Sequence, residues 1–152
     1  MEFRKINKKN YMDCFLLKLD SNQENFVASS AQSLVESAYE DELNILGIYS
    51  EENMIGYLLY DYDKDIQGWS LSRFMIDYRY QGKGYGKEAA IKFLEYFKKN
   101  VGENKLHISI DLNNIPAQKM FKSLGFKEMK EIEYEYLGRS FKEIQMIKIF
   151  NI

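Results

Sequence analysis

The sequence predicts a mixed α/β domain in which helices are interleaved among strands, and three observations carry that expectation. Short apolar runs of strand type, such as Ile55-Gly56-Tyr57-Leu58-Leu59-Tyr60, occur between segments whose apolar residues recur at helical spacing, such as Ala117, Met120, Phe121 and Leu124. A glycine-rich turn, Gln81-Gly82-Lys83-Gly84-Tyr85-Gly86-Lys87, joins an apolar strand to a helix. The length of 152 residues, 45% of them hydrophobic, suits a single domain with one sizeable core.

Taken in order, residues 2–6 read as a strand, 8–18 as a helix that packs Cys14 inward, and 29–40 as a second helix. Leu46–Tyr49 and Ile55–Tyr60 read as paired strands, with Ser50-Glu51-Glu52-Asn53 as their turn. A third strand, Gly68–Asp77, feeds the glycine turn, and a helix runs from Gly84 to about Asn100. The strand at 106–112 gives His107 a structural place. In the helix at 115–124, Asn113 or Asn114 can cap the start, Pro116 is tolerated in the first turn, and Gly125 suits a left-handed C-terminal cap. Strands at 126–137 and 141–149 close the chain, with Gly138-Arg139-Ser140 as the hairpin turn.

Several classes are disfavoured at once. No stretch reaches the roughly 20 apolar residues needed to span a membrane. The charged start Met1-Glu2-Phe3-Arg4-Lys5 leads into a strand and not into a signal peptide's apolar core, so a cytoplasmic location is expected. Cys14 is the only cysteine and His107 the only histidine, which argues against an intrachain disulfide, a His/Cys metal site and a Ser-His nucleophile. No metal is expected.

The glycine turn has the makings of an anion cradle. Gly82, Gly84 and Gly86 lack Cβ, so the backbone can turn tightly and present its N–H groups to a phosphate. The helix start adds unsatisfied amides and the positive end of its dipole, and Arg79, Lys83 and Lys87 add charge. The spacing excludes two common phosphate loops. A dinucleotide fingerprint needs its third glycine one residue later than Gly86, and a Walker A loop would have Gly at Gln81 and Ser or Thr at Glu88.

Gln81-x-x-Gly84-x-Gly86 resembles the pyrophosphate loop of the GNAT family of N-acetyltransferases. Asn114-Ile115-Pro116-Ala117-Gln118-Lys119-Met120-Phe121-Lys122-Ser123-Leu124-Gly125-Phe126 resembles that family's second cofactor motif, in which an Asn opens a helix and a Gly-Phe pair closes it. The resemblance covers nearly the whole chain. It implies a mixed, mostly antiparallel central sheet of six to seven strands flanked by four helices, and acetyl transfer from acetyl-CoA to a primary amine. Cofactor contacts carry over to Gln81, Gly82, Lys83, Gly84, Tyr85, Gly86, Lys87, Asn114, Ala117, Phe121 and Lys122. A splayed strand at Phe74, Met75 and Ile76 would hold the pantetheine arm and polarise the thioester carbonyl through its backbone.

Gln23-Glu24-Asn25-Phe26-Val27-Ala28, Ser33-Leu34 and Arg73-Phe74-Met75-Ile76-Asp77 look like the bacterial spermine/spermidine acetyltransferases, which implies a small polycationic acceptor, and acidic side chains of the first half, Glu24, Glu36 and Asp41 among them, would attract it. Charge patterning agrees. Residues 20–65 hold eleven acidic side chains and one basic one, Lys64, leaving +8 elsewhere in a chain of net charge −2. That field argues against nucleic acid as the main partner, although Lys98, Lys99 and Lys105 form a local basic patch. Two positions depart from the family. Phe121 stands where a tyrosine usually protonates the leaving sulfur, and Ser72 stands where an acidic base is often found. The catalytic proton carriers are therefore open, with Tyr78, Tyr80, Tyr134 and Tyr136 as candidates. Other amines (an aminoglycoside, an amino acid, a protein N-terminus) and a weakly catalytic acetyl-CoA-binding regulator stay as alternatives. The late strands, including Glu133–Tyr136 and Met146–Phe150, are candidates for a homodimer contact.

Overall fold

The computed structural model describes residues 1–151. Its seven strands are β1 (Glu2–Lys5), β2 (Asn44–Ser50), β3 (Asn53–Asp63), β4 (Gly68–Ile76), β5 (Lys105–Asp111), β6 (Lys127–Tyr136) and β7 (Arg139–Ile149). They form a sheet in the order β1-β2-β3-β4-β5-β7-β6, antiparallel except for the β4–β5 pair. The helices are α1 (Tyr11–Phe15), α2 (Ser30–Tyr39), α3 (Tyr85–Asn100) and α4 (Ile115–Ser123), with a short 3-10 turn at Tyr78–Tyr80. This is the mostly antiparallel seven-stranded sheet with four helices that the resemblance implies. Among the described residues, no helix is long and apolar enough to cross a membrane.

Strand alternation sorts the apolar residues onto two faces. Leu46, Ile48, Leu58, Ile76, Ile108 and Ile144 point to a core shared with Ala89, Ala90, Phe93 and Phe97 of α3 and Phe121 of α4. Tyr49, Tyr57 and Met75 point the other way, onto Cys14 of α1 and the loop residue Leu17. Cys14 is buried, as expected, and burial pushes its thiol up to about 12. His107 has a structural setting too, with Nδ1 3.2 Å from the Trp69 carbonyl oxygen.

Several boundaries differ from expectation, among them β2, which runs Asn44–Ser50 and pairs Ser50 with Asn53 where both were expected in the turn. The first helix spans only Tyr11–Phe15, because the chain leaves helical geometry to let the Lys18 N–H donate to the Asp77 carboxylate at 2.9 Å. The β3 strand is longer than Ile55–Tyr60, since its polar end at Asp61–Asp63 still pairs with β4. The β6–β7 hairpin turns at Leu137-Gly138, both at positive φ (51° and 75°), while Arg139 and Ser140 already belong to β7. Such a two-residue turn matches the twist of the flanking strands.

Candidate active site

The site begins with a break in the sheet. The β4–β5 pairing is limited to Ser70↔His107 and Leu71↔Ile108, after which the strands part while β5 stays paired with β7 to Asp111↔Glu143. A bulge accompanies the split: Leu59 of β3 faces Arg73 and Tyr60 faces Leu71, so Ser72 is the extra residue. Leu71 lies in the α3-side core and the Phe74 ring packs edge-on to Phe121 of α4 at 5.8 Å. Ser72 and Arg73 are left on the α2 side, where Ser72 Oγ donates a close hydrogen bond to Asp61 and Arg73 Nη1 donates to Ser33 Oγ at 3.0 Å. The edge of β4 at Phe74, Met75 and Ile76 has no strand partner toward β5.

A cavity of about 270 Å³ occupies this gap and brings together Phe74, Met75, Ile76, Gln81, Asn114, Ala117 and Phe121. Asn114 is the residue that caps α4, its side chain accepting from the Ala117 N–H at 3.4 Å, and Gly125 adopts the expected left-handed conformation beyond the helix end. Gln23 also lines the cavity. Its Oε1 is buried with no hydrogen-bond partner among the described residues, and an orphaned acceptor of that kind needs an N–H donor such as a pantetheine amide supplies.

The glycine turn lies next to this cavity. Gly84 is the N-cap of α3 at φ 84°, Gly82 has φ 76°, and a Cβ at either would meet nothing within 4 Å. What these glycines provide is therefore the left-handed backbone conformation rather than space. No side chain caps α3, and the backbone N–H groups of Gly82 to Lys87 donate to no group among the described residues, so they are free to hold a polyanion. Gln81 fastens the turn to the end of β4 by donating from Nε2 to the Ile76 carbonyl at 2.9 Å. Arg79 does not join the cradle. Its Nε donates to buried Asp77 at 2.8 Å; burial works to raise the Asp77 pKa, but hydrogen bonds from Arg79 and the Lys18 N–H outweigh it and lower the pKa overall.

On the α2 side a second cavity, of about 610 Å³, shares Phe26, Val27, Ser72, Arg73 and Ser109 with the first, so the two meet at the strand split. Four carboxylates line it (Asp63, Asp65, Glu133 and Glu143) together with Arg73, Lys130 and Arg139. Arg73 is already ion-paired with Glu36 at 2.5 Å. Glu36 also accepts from Gln32 Nε2 at 2.9 Å and from the Tyr136 hydroxyl at 2.7 Å. Burial acts to raise its pKa, but these hydrogen bonds and Arg73 lower it overall, as befits a carboxylate committed to internal partners.

Glu143 is different. It is 8% exposed on β7, flanked across the sheet by Asp111 of β5 and Ile132 of β6, and its Oε1 accepts from the Tyr134 hydroxyl at 2.8 Å. Burial raises its pKa, the Tyr134 hydrogen bond offsets part of the rise, and Asp111 adds to it. The Tyr134 ring stacks on Phe141 at 5.1 Å, which fixes the hydroxyl's position.

The expected residues thus divide. Glu24 and Asp41 are exposed and line neither cavity, and Glu36 stands behind the wall holding Arg73 and Tyr136. Lys122 lies outside the first cavity, paired with Glu128. Of the eleven acids in residues 20–65, only Asp63 and Asp65 line the second cavity. Tyr78 and Tyr80 lie away from both cavities, whereas Tyr134 and Tyr136 line the second. Glu143, Gln145 and Ser109 were absent from the expected set. The signal for Glu143 and Gln145 is their alternation with Ile144 and Met146, which marks a polar face on a strand with neighbours on both sides.

Comparison with known proteins agrees with this geometry. Residues 8–126 match the Acetyltransferase (GNAT) family. A spermine/spermidine N(1)-acetyltransferase of Bacillus subtilis (strain 168) is 29% identical over 125 residues, covering 78% of this chain and 82% of that one. Spermidine N-acetyltransferase from Vibrio cholerae in complex with CoA and spermine superposes with a TM-score of 0.75 at 16% identity, covering 97% and 94% of the two chains. A ribosomal-protein-alanine N-acetyltransferase from Brucella melitensis gives 0.73 at 16% identity over 99% and 100%, so likeness at this level speaks for the fold alone. With its strand split, amide-rich helix start and family match in register, the chain belongs to the GNAT family and is an acetyl-CoA-dependent N-acetyltransferase.

Proposed function

We propose that this acetyltransferase acts on a primary amine of a small polycationic acceptor of the spermidine, spermine or diamine class. The observation that carries this reading is the second cavity, which opens onto the strand split and is lined by four carboxylates against Arg73, Lys130 and Arg139, of which Arg73 is neutralised by Glu36. The similarity to a relative named for spermine and spermidine supports it. In this reading the Gly82–Lys87 amides grip the pyrophosphate, while Gln23 and the free edge of Phe74–Ile76 hold the pantetheine arm. Acetyl-CoA supplies an acetyl group activated as a thioester. The whole chain acts as one domain in the cytoplasm, and exposed β6, which ends the sheet, offers an edge for a homodimer contact.

Energetics rank the protein's tasks. An alkyl ammonium with a pKa near ~10.4 is neutral only about one part in a thousand near pH ~7.5, a deficit of roughly 4 kcal/mol. A thiol leaving group with a pKa near ~8.5 needs only about 1.4 kcal/mol of help. Removing the ammonium proton is the larger task, and Phe121, which has no exchangeable proton, stands where the smaller one would be served. The test is thiol release by purified protein from acetyl-CoA with a panel of amines across pH 7 to 9. Polyamines should give kcat/KM at least about tenfold above amines bearing no second positive charge. Equal rates on both groups would sink the acceptor assignment.

A further inference from the structure

We infer that Glu143, held by Tyr134, receives the ammonium group of the acceptor and takes its proton before acetyl transfer. This rests on the acetyl-acceptor reading of the second cavity and assigns its proton carrier. A buried carboxylate is costly without a cation, and none of the described residues supplies one to Glu143. The groups facing it are Tyr134 from β6 and Asp111 from β5, with Arg73 of β4 acting on Tyr134 and already bound to Glu36. Lys130, Glu133 and Arg139 also line the cavity, and Arg139 donates to Asn25 at 2.6 Å. Only one Glu143 oxygen has a partner, the Tyr134 hydroxyl. The other is available to a cationic ligand.

The rival carboxylates are spoken for. Glu36 neutralises Arg73, and Asp61, which lines neither cavity, accepts the Ser72 hydroxyl. Asp63, half-buried, already accepts the Asp65 N–H on Oδ1 at 2.8 Å, and Asp65 and Glu133 are exposed, so water screens them. At Glu143 an N–H bond of the ammonium breaks and an O–H bond forms on the carboxylate, freeing the nitrogen lone pair. That pair forms the C–N bond to the acetyl carbon as the C–S bond breaks and its electrons leave on sulfur. The second nitrogen proton lost on amide formation neutralises the thiolate, and Glu143 returns its own proton to solvent.

Glu143→Gln keeps an oxygen to accept from Tyr134 and removes the charge. Spermidine kcat/KM should fall by roughly 100-fold or more, with KM for acetyl-CoA within about twofold of wild type. The acidic limb of the pH profile should vanish, and calorimetry should show spermidine binding to the protein alone weakened at least about tenfold. Tyr134→Phe removes the hydrogen bond that holds the Glu143 pKa down, so its acidic limb should move to higher pH, which a purely structural tyrosine would not cause. If spermidine is a poor acceptor and another amine a good one, the acceptor assignment fails and the same comparison on that amine decides this inference. Glu143→Gln within about threefold of wild type and with the acidic limb intact would overturn it. Should that variant fail to fold, an unmoved limb in Tyr134→Phe has the same force.

Discussion

Glu36 and Glu143 are both carboxylates near one cavity, and their surroundings give them opposite roles. Glu36 is saturated by Arg73, Gln32 and Tyr136, which together hold its pKa down against burial. Glu143 is buried with one tyrosine hydrogen bond, and its pKa is raised. A group whose pKa is raised on folding contributes stability that is complete below its unfolded pKa and lost as pH rises through the folded one. At pH 7.5 an ionised Glu143 therefore weighs against the fold, and its neutral isostere does not. Glu143→Gln should melt at or above the wild-type temperature at pH 7.5, with the difference shrinking toward pH 4. A lower melting temperature at pH 7.5 would mean that the charge stabilises the fold. Sequence alone pointed to Glu24, Glu36 and Asp41 because composition reports the sign of charge but not its burial or its partners. Glu143 sits in Phe141-Lys142-Glu143-Ile144-Gln145, which reads as an ordinary strand with one wetted face until β6 and β7 are seen to place that face in a cavity.

At the scale of elements, the motifs that were legible are the local ones. The glycine turn, the Asn114 cap and the Gly125 end of α4 depend on residues within one or two turns of each other, so their sequence spacing carries their geometry. Features that depend on distant partners were not legible. The first helix is cut short by Asp77, some sixty residues away, and the Ser72 bulge is set by pairing with β3. The glycine turn yields a direct expectation. Gly84→Ala forces a side-chain-bearing residue to φ 84°, a strain of roughly 1–2 kcal/mol with no clash to add to it. If that strain is relieved by loosening the cradle, KM for acetyl-CoA should rise about 5- to 30-fold while kcat stays within about twofold. An unchanged KM would show that the Gly84 conformation is not used in gripping the cofactor.

For the molecule as a whole, the decisive feature is that a sheet otherwise continuous from β1 to β6 parts between β4 and β5, with a cavity on each side. One side offers unpaired amides at Gly82–Lys87, and the other offers carboxylates, so opposite charges are drawn to a shared opening at Ser72, Arg73 and Ser109. The charge split along the chain foreshadowed this only coarsely, since most acids of residues 20–65 lie outside the cavity that the fold assembles. The most direct measurement is a crystal structure with CoA and spermine bound together. We expect the pyrophosphate on the Gly82–Lys87 amides, the thiol end between Phe74–Ile76 and Ser109, and a spermine nitrogen within hydrogen-bond distance of Glu143. Spermine bound only on the outer surface near Glu24 and Asp41, with the second cavity free of amine, would contradict the two-sided arrangement.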